Sequence, residues 1–113
     1  MLETTCFDGA PFEYEKIRTD SGSPNCNSPS TFIDAVKNCG FNALVTANNH
    51  NCDTGLEGLH ATVQHIRNSG MANIGTLDDE THIADINGIK VGFVAVNSIS
   101  NGLEKNIPSE IIG

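Results

Sequence analysis

The sequence predicts an α/β fold, a parallel sheet crossed by helices with a β-hairpin after it, on three observations. Two amphipathic helical patterns end at glycines, Gly40 and Gly70, and each hands over at once to a short apolar run. Such alternation with tight connections marks parallel strands joined by helical crossovers. Further on, Asn87-Gly88 separates two β-rich runs, a strong short-range hairpin signal. Third, the apolar run after Gly40 empties into a dense polar cluster, Asn48, Asn49, His50, Asn51, Cys52 and Asp53. Open α/β sheets bind ligands outside the carboxyl ends of their strands, so any chemistry belongs at that cluster.

Each element follows in order: strand, helix, strand, helix, strand, then the hairpin. Residues Met1 to Thr5 read as the end of a strand cut off on its upstream side. Cys6 to Asn27 is polar, rich in Asp, Gly, Ser, Pro and Asn, and without period, which predicts a long surface loop, either a mere linker or a border of the site. Ser28-Pro29-Ser30 opens the first helix through a hydroxyl cap and an early proline. Its apolar stripe is Phe32, Val36 and Cys39, with Ile33 and Ala35 beside it, and Gly40 ends it in the C′ position. The run from Phe41 to Ala47 is short and apolar, the pattern of a buried strand.

The second helix opens at Gly55 and carries the stripe Leu56, Leu59, Val63 and Ile66. His65 falls opposite the stripe, toward solvent; His60 flanks it as a partly buried structural histidine. A short strand at 72–74 and a polar loop at 76–80 follow. In the hairpin, Ile89, Val91, Phe93 and Ala95 share one face, and Val94 and Val96 make the other apolar too, which predicts a central strand. From Asn97 the pattern offers nothing beyond a turn at Ile107-Pro108. No internal repeat appears.

The 113 residues make a single, partial domain spanning 1–113 that can bury a modest core. Fourteen acidic against six basic residues give a net charge of −8. That balance argues against nucleic acid as a partner and suits an anionic membrane poorly. No stretch reaches the roughly 18 apolar residues needed to cross a bilayer, and the first residues lack the pattern of a signal peptide. Cysteines stand at positions 6, 26, 39 and 52 with no Cys-x-x-Cys pair, so they read as thiols and not a zinc ribbon. A Cys6–Cys26 disulfide stays open for an extracellular setting.

The cluster holds residue types suited to metal and proton chemistry. The side-chain oxygen of Asn49 is a neutral metal ligand. The imidazole of His50 titrates near working pH, so it can donate to a phosphate oxygen or protonate a leaving group. Asp53, three residues on, can hold that imidazole in one tautomer. The helix opening at Gly55 adds a positive dipole end favourable to an anion. A solvated polar turn is the plain alternative.

The stretch Gly40-Phe41-Asn42-Ala43-Leu44-Val45-Thr46-Ala47-Asn48-Asn49-His50-Asn51-Cys52-Asp53-Thr54-Gly55-Leu56-Glu57-Gly58-Leu59 resembles the signature block of the poly-γ-glutamate capsule biosynthesis (CapA-like) family. The resemblance continues through Gly70 to Gly75 and through Ile86 to Phe93, and Leu2-Glu3-Thr4-Thr5 is similar to the end of the family's Asn-Leu-Glu motif. The family is in turn similar to the calcineurin-like metallophosphoesterases, αββα sandwiches with a two-metal site. The resemblance therefore implies a partial metallophosphoesterase-like sandwich and a metal-dependent phosphoester hydrolase site. It implies Asn49 as a metal ligand, with Glu3 near the place of another acidic ligand, His50 as a catalytic residue, beside which the spacing sets Asp53, and a divalent metal (Mn, Zn or Fe). It also implies an anionic polymer or phosphoester substrate, a membrane polymer synthase complex as partner, and a parent protein at the cell envelope. The superfamily's opening strand would lie before Met1 and its later histidine motifs beyond Gly113, so the chain is expected to be an internal piece that binds metal weakly alone. The competing expectation is a non-catalytic scaffold of a polymer synthesis and export complex.

Overall fold

The computed structural model describes residues 1–9, 16–17 and 24–99 of the chain. Ten elements follow in order: β1 (Thr5–Cys6), β2 (Lys16–Ile17), β3 (Pro24–Asn25), β4 (Asn27–Ser28), α1 (Thr31–Asn38), β5 (Ala43–Val45), α2 (Gly55–Asn68), β6 (Ala72–Ile74), β7 (Thr81–Ile86) and β8 (Ile89–Val94). The fold is mixed α/β, as the alternation predicts. Residues 10–15, 18–23 and 100–113, with the expected turn at Ile107-Pro108, lie outside the described residues.

The centre is the parallel pair β5–β6, in register Ala43↔Ala72, Leu44↔Asn73 and Val45↔Ile74, with α2 as the crossover. The pair is extended by Ala72 N–H to Asn42 O at 3.0 Å and by Thr46 N–H to Ile74 O at 3.0 Å. On its other edge Leu2 N–H donates to Val45 O at 2.8 Å, which lays the N-terminal segment beside β5. Both helices end as their glycines dictate: Gly40 takes φ +94° and Gly70 φ +82°, a region that costs other residues strain.

The stretch expected to be only surface loop holds small pairings instead. β2 runs antiparallel to β3, and β4 runs parallel to β1 with Thr5 opposite Asn27. Polarity misled here, because the β1–β4 pairing is carried by polar side chains. Asn27 Oδ1 accepts from Thr5 Oγ1 at 2.9 Å and from Phe7 N–H at 3.0 Å, and its amide donates to Phe7 O at 2.8 Å. Ser28 therefore belongs to a strand, and Ser30 is the helix cap residue without a side-chain cap bond. Its hydroxyl and its N–H both donate to the Asp8 carboxylate.

Leu59, Val63 and Ile66 of α2 are buried as expected, but Gly58 and Thr62 join them. The buried arc is thereby centred near Thr62, which exposes His60 and leaves His65 half-buried, the reverse of the expected order. In α1 the buried residue is Ile33, at 1% exposure, whereas Phe32 (42%) and Cys39 are exposed. Ile33 packs with Leu2, Cys6, Leu44, Ile66 and Met71, so the helix has turned one residue from the predicted stripe. Phe32 and Val36 instead border a groove with Phe41 and Met1.

The hairpin forms with both turn residues at positive φ, Asn87 at 54° and Gly88 at 84°, and Asp85 Oδ1 accepts from Gly88 N–H. The expectation of a central strand is corrected: among the described residues β8 pairs with β7 alone, and Ile89 and Val94 are exposed. Its period-2 apolar pattern is equally that of a strand with two open faces.

Thr62 Oγ1 accepts Cys6 N–H at 2.8 Å and donates to Gly58 O at 2.7 Å, all three residues being buried. Thr62→Val keeps the shape and orphans a buried N–H, a loss of about 1–3 kcal/mol by urea titration. The exposed Thr81→Val should stay within about 0.5 kcal/mol of the parent. The buried Cys6 thiol is pushed up to about 12 from 9.0, by burial first and Asp8 second. The folded state thus keeps a proton that the unfolded chain releases above pH 9.0, so this contribution is intact below 9.0 and is lost as pH climbs toward 12. Urea midpoints should fall over that window, and the slope should be shallower in Cys6→Ala.

Candidate functional site

After β5 the backbone leaves the sheet through a succession of tight turns. Asn51 N–H donates to Asn48 O at 3.3 Å, Asp53 N–H to His50 O at 3.2 Å and Gly55 N–H to Cys52 O at 2.8 Å. Asn48 shapes the first turn. Its amide donates to Leu2 O at 2.6 Å and to Thr46 O at 3.1 Å, while its Oδ1 accepts His50 N–H at 2.9 Å. One buried amide therefore fixes both the N-terminal segment and the backbone of His50. From the far side Asn97 Nδ2 donates to Asn48 O at 3.0 Å, which brings the end of the hairpin to the same turn. The polar cluster is not a solvated turn: Asn48, Asn51, Cys52, Asp53 and Thr54 are all buried.

Below it, a polar network joins the carboxyl ends of β5 and β6. Thr46 Oγ1 donates to Asn73 Oδ1 at 2.6 Å; the Asn73 amide donates to Thr76 O at 3.0 Å and Asp79 Oδ2 at 3.2 Å. Arg67 reaches the same Asp79 oxygen through Nη2 at 2.6 Å and Nε at 3.1 Å. These bonds hold the two strand ends in one arrangement.

His50 Nδ1 lies 2.7 Å from Asp53 Oδ2, with the His50 side chain 14% exposed and that of Asp53 fully buried. The pairing expected from the spacing is therefore made. The same Asp53 oxygen accepts Cys26 N–H at 2.7 Å, and that bond carries the β3–β4 segment to the turn. Asp53 Oδ1 and Thr54 Oγ1 are buried without a hydrogen-bond partner. Among the described residues, Cys26, His50 and Asp53 form a group whose ligand atoms lie within 4.8 Å of one another. Thiolate, imidazole and carboxylate are the donors that bind zinc-class cations, and a buried carboxylate oxygen lacking a donor suits a cation. The residues fit such an ion.

Sequence reasoning missed Cys26. It lies 24 residues before His50 in a stretch without period or paired-cysteine spacing, and the β1–β4 pairing is what delivers it. Asn49 is half-buried in the turn beside His50. Glu3 is exposed and borders the groove lined by Phe32, Val36 and Phe41; it is not part of the Cys26–His50–Asp53 group. Cys52 is no rival to Cys26. Burial first and Asp53 second push its thiol up to about 11, and it packs with Leu59 and Val63. All four cysteines are thiols, so a Cys6–Cys26 disulfide is not formed.

No described helix is long and apolar enough to cross a membrane. No curated protein and no solved structure matches the chain. A family match, in contrast, runs nearly from end to end. The chain belongs to the bacterial capsule synthesis protein PGA_cap family, whose model matches residues 2–110.

Proposed function

We propose that the chain carries the histidine-bearing part of a divalent-metal-dependent hydrolase acting on a phosphoester or related bond during capsule synthesis, on a metallophosphoesterase-like αββα scaffold. One observation carries this: His50 Nδ1 faces a fully buried Asp53 carboxylate at 2.7 Å, at the mouth of a parallel strand. With a carboxylate as acceptor, Nδ1 is the donor and the ring is fixed in one tautomer. In the doubly protonated ring the other nitrogen, Nε2, carries the second proton and serves the substrate, donating to a phosphate oxygen or protonating the leaving group. The buried Asp53 keeps the imidazole oriented, because a swinging ring would strand its charge in the interior. The acidic chain leaves an anionic substrate to be held by the cation and by the amino end of α2.

Asn49 and Glu3 are the proposed metal ligands. Asn49 adjoins His50 in the half-buried turn. Glu3 follows Leu2, whose N–H and carbonyl are tied to Val45 and Asn48, and that tie supports the reading. A divalent cation (Mn, Zn or Fe) would polarise the phosphoryl oxygen and ready a water as nucleophile. The proposed substrate is an anionic polymer or phosphoester, and the proposed setting is a membrane polymer synthase complex at the cell envelope.

In the full-length protein, His50→Ala should lower turnover of an aryl phosphoester by about 10²–10⁴-fold with an unchanged circular dichroism spectrum. Asn49→Ala should weaken metal occupancy and recover in part with added metal, whereas His50→Ala should not recover. Asp53→Asn should give an intermediate loss. Full activity of His50→Ala at every metal concentration would sink the hydrolase and leave the chain a scaffold for polymer synthesis and export.

A further inference from the structure

We propose that Cys26 is a metal ligand, completing with His50 and Asp53 a sulfur–nitrogen–oxygen site for a thiophilic divalent cation of the zinc class. It rests on the hydrolase reading and adds to Asn49 and Glu3 a second set of donors, so that His50 and Asp53 would serve a cation as well as the substrate. Three observations meet here. The ligand atoms of Cys26, His50 and Asp53 lie within 4.8 Å of one another, a span that one ion can bridge with small side-chain movements. The carboxylate oxygen Oδ1 of Asp53 is buried and has no hydrogen-bond donor, so a cation would satisfy a group that protein atoms leave unmet. Third, Cys26 is held from its backbone side: its N–H donates to Asp53 Oδ2 and its carbonyl accepts from Thr5 N–H and Thr5 Oγ1. With both backbone groups engaged, the main chain of Cys26 is held beside Asp53.

The donor set decides the class of ion. Magnesium and calcium take oxygen ligands, keep several waters and gain little from sulfur. Zinc and its neighbours in the first transition row bind thiolate and imidazole well, and three protein ligands with one open position make a catalytic rather than a structural zinc site. The His50–Asp53 contact also has a place in this scheme. Without metal, a proton lies between Nδ1 and Oδ2; a cation held by the same face of the ring takes its place. Nε2 then carries the imidazole proton and is left as a donor for the substrate. The ion would displace one proton from the thiol, while the imidazole keeps its proton, moved from Nδ1 to Nε2, and no oxidant or reductant enters.

The test uses the full-length protein loaded with Co²⁺ in place of the native ion. Thiolate ligation should appear as a near-ultraviolet sulfur-to-cobalt charge-transfer absorption. Cys26→Ser should abolish that band and weaken cobalt binding by at least about tenfold, with an unchanged circular dichroism spectrum. Cys39→Ser, at the exposed cysteine, should leave the band intact. A tenfold excess of Mg²⁺ should not displace the cobalt. If Cys26→Ser misfolds, the parent still answers: Zn²⁺ should protect Cys26 but not Cys39 from alkylation, as mapped by mass spectrometry. A Cys26→Ser protein that keeps the band, a cobalt spectrum without it, or alkylation of Cys26 undiminished by zinc overturns the assignment. Because the readout is absorption and labelling, a protein that shows the band yet hydrolyses nothing refutes the hydrolase while retaining the ligand, and an active protein without the band does the opposite.

Discussion

The site depends on one buried carboxylate. Asp53 Oδ2 accepts the N–H of Cys26 and faces Nδ1 of His50, each at 2.7 Å, so a single oxygen joins two segments that are far apart in sequence. An ionised carboxylate is costly inside a protein unless donors surround it. That cost makes the arrangement specific. If the 24–28 segment moved away, or the imidazole rotated out, the remaining partner would have to carry the charge alone. The fold around the site is thus tied together by an electrostatic requirement as well as by apolar contacts.

The short central strands explain why. β5 and β6 are three residues each, and a parallel pair of that length brings few ladder bonds of its own. Side chains supply the difference. Asn48 bonds to Leu2, Thr46 and the backbone of His50; Thr46, Asn73, Thr76 and Asp79 form a connected set; Thr62 receives the N–H of Cys6. Fully connected buried polar groups rigidify a structure, since each loses more by leaving than it would in water. The apolar clusters on α2 and α1 provide the bulk of burial, and the polar set decides where the turn after β5 points.

What could be seen in the sequence was local. The 43–45 strand, the α2 stripe, the two terminating glycines and the Asn-Gly turn each leave a short-range pattern, and each forms. So does the His50–Asp53 contact, because three residues of separation within a turn leave little freedom. The misses are all non-local. Cys26 and the β1–β4 pairing depend on Asn27 reaching residues about twenty positions earlier, which no periodicity records. The orientation of α1 turned on Ile33 because β1 and α2 offer their apolar surface to that side, and the stripe alone cannot see which neighbour a helix meets. The openness of β8 is of the same kind: an apolar alternating strand has the same sequence whether or not a partner covers it. The αββα sandwich goes further than the α/β arrangement of these elements.

Asp53 also shows how a fold can hold a function in reserve. One of its oxygens satisfies the fold, bonded by backbone and imidazole; the other, Oδ1, is buried and unsatisfied, beside the equally unsatisfied Thr54 Oγ1. Leaving such an atom without a partner costs about 1–3 kcal/mol, which a purely structural turn would be expected to avoid by a small rotation. A rotation is barred here, since moving the carboxylate to serve Oδ1 would break the contacts to Cys26 and His50 that define the site. The residue that carries this oxygen also belongs to the Cys26–His50–Asp53 group of metal-type donors. The two oxygens of one carboxylate thus differ in state, one bonded within the fold and one buried without a donor.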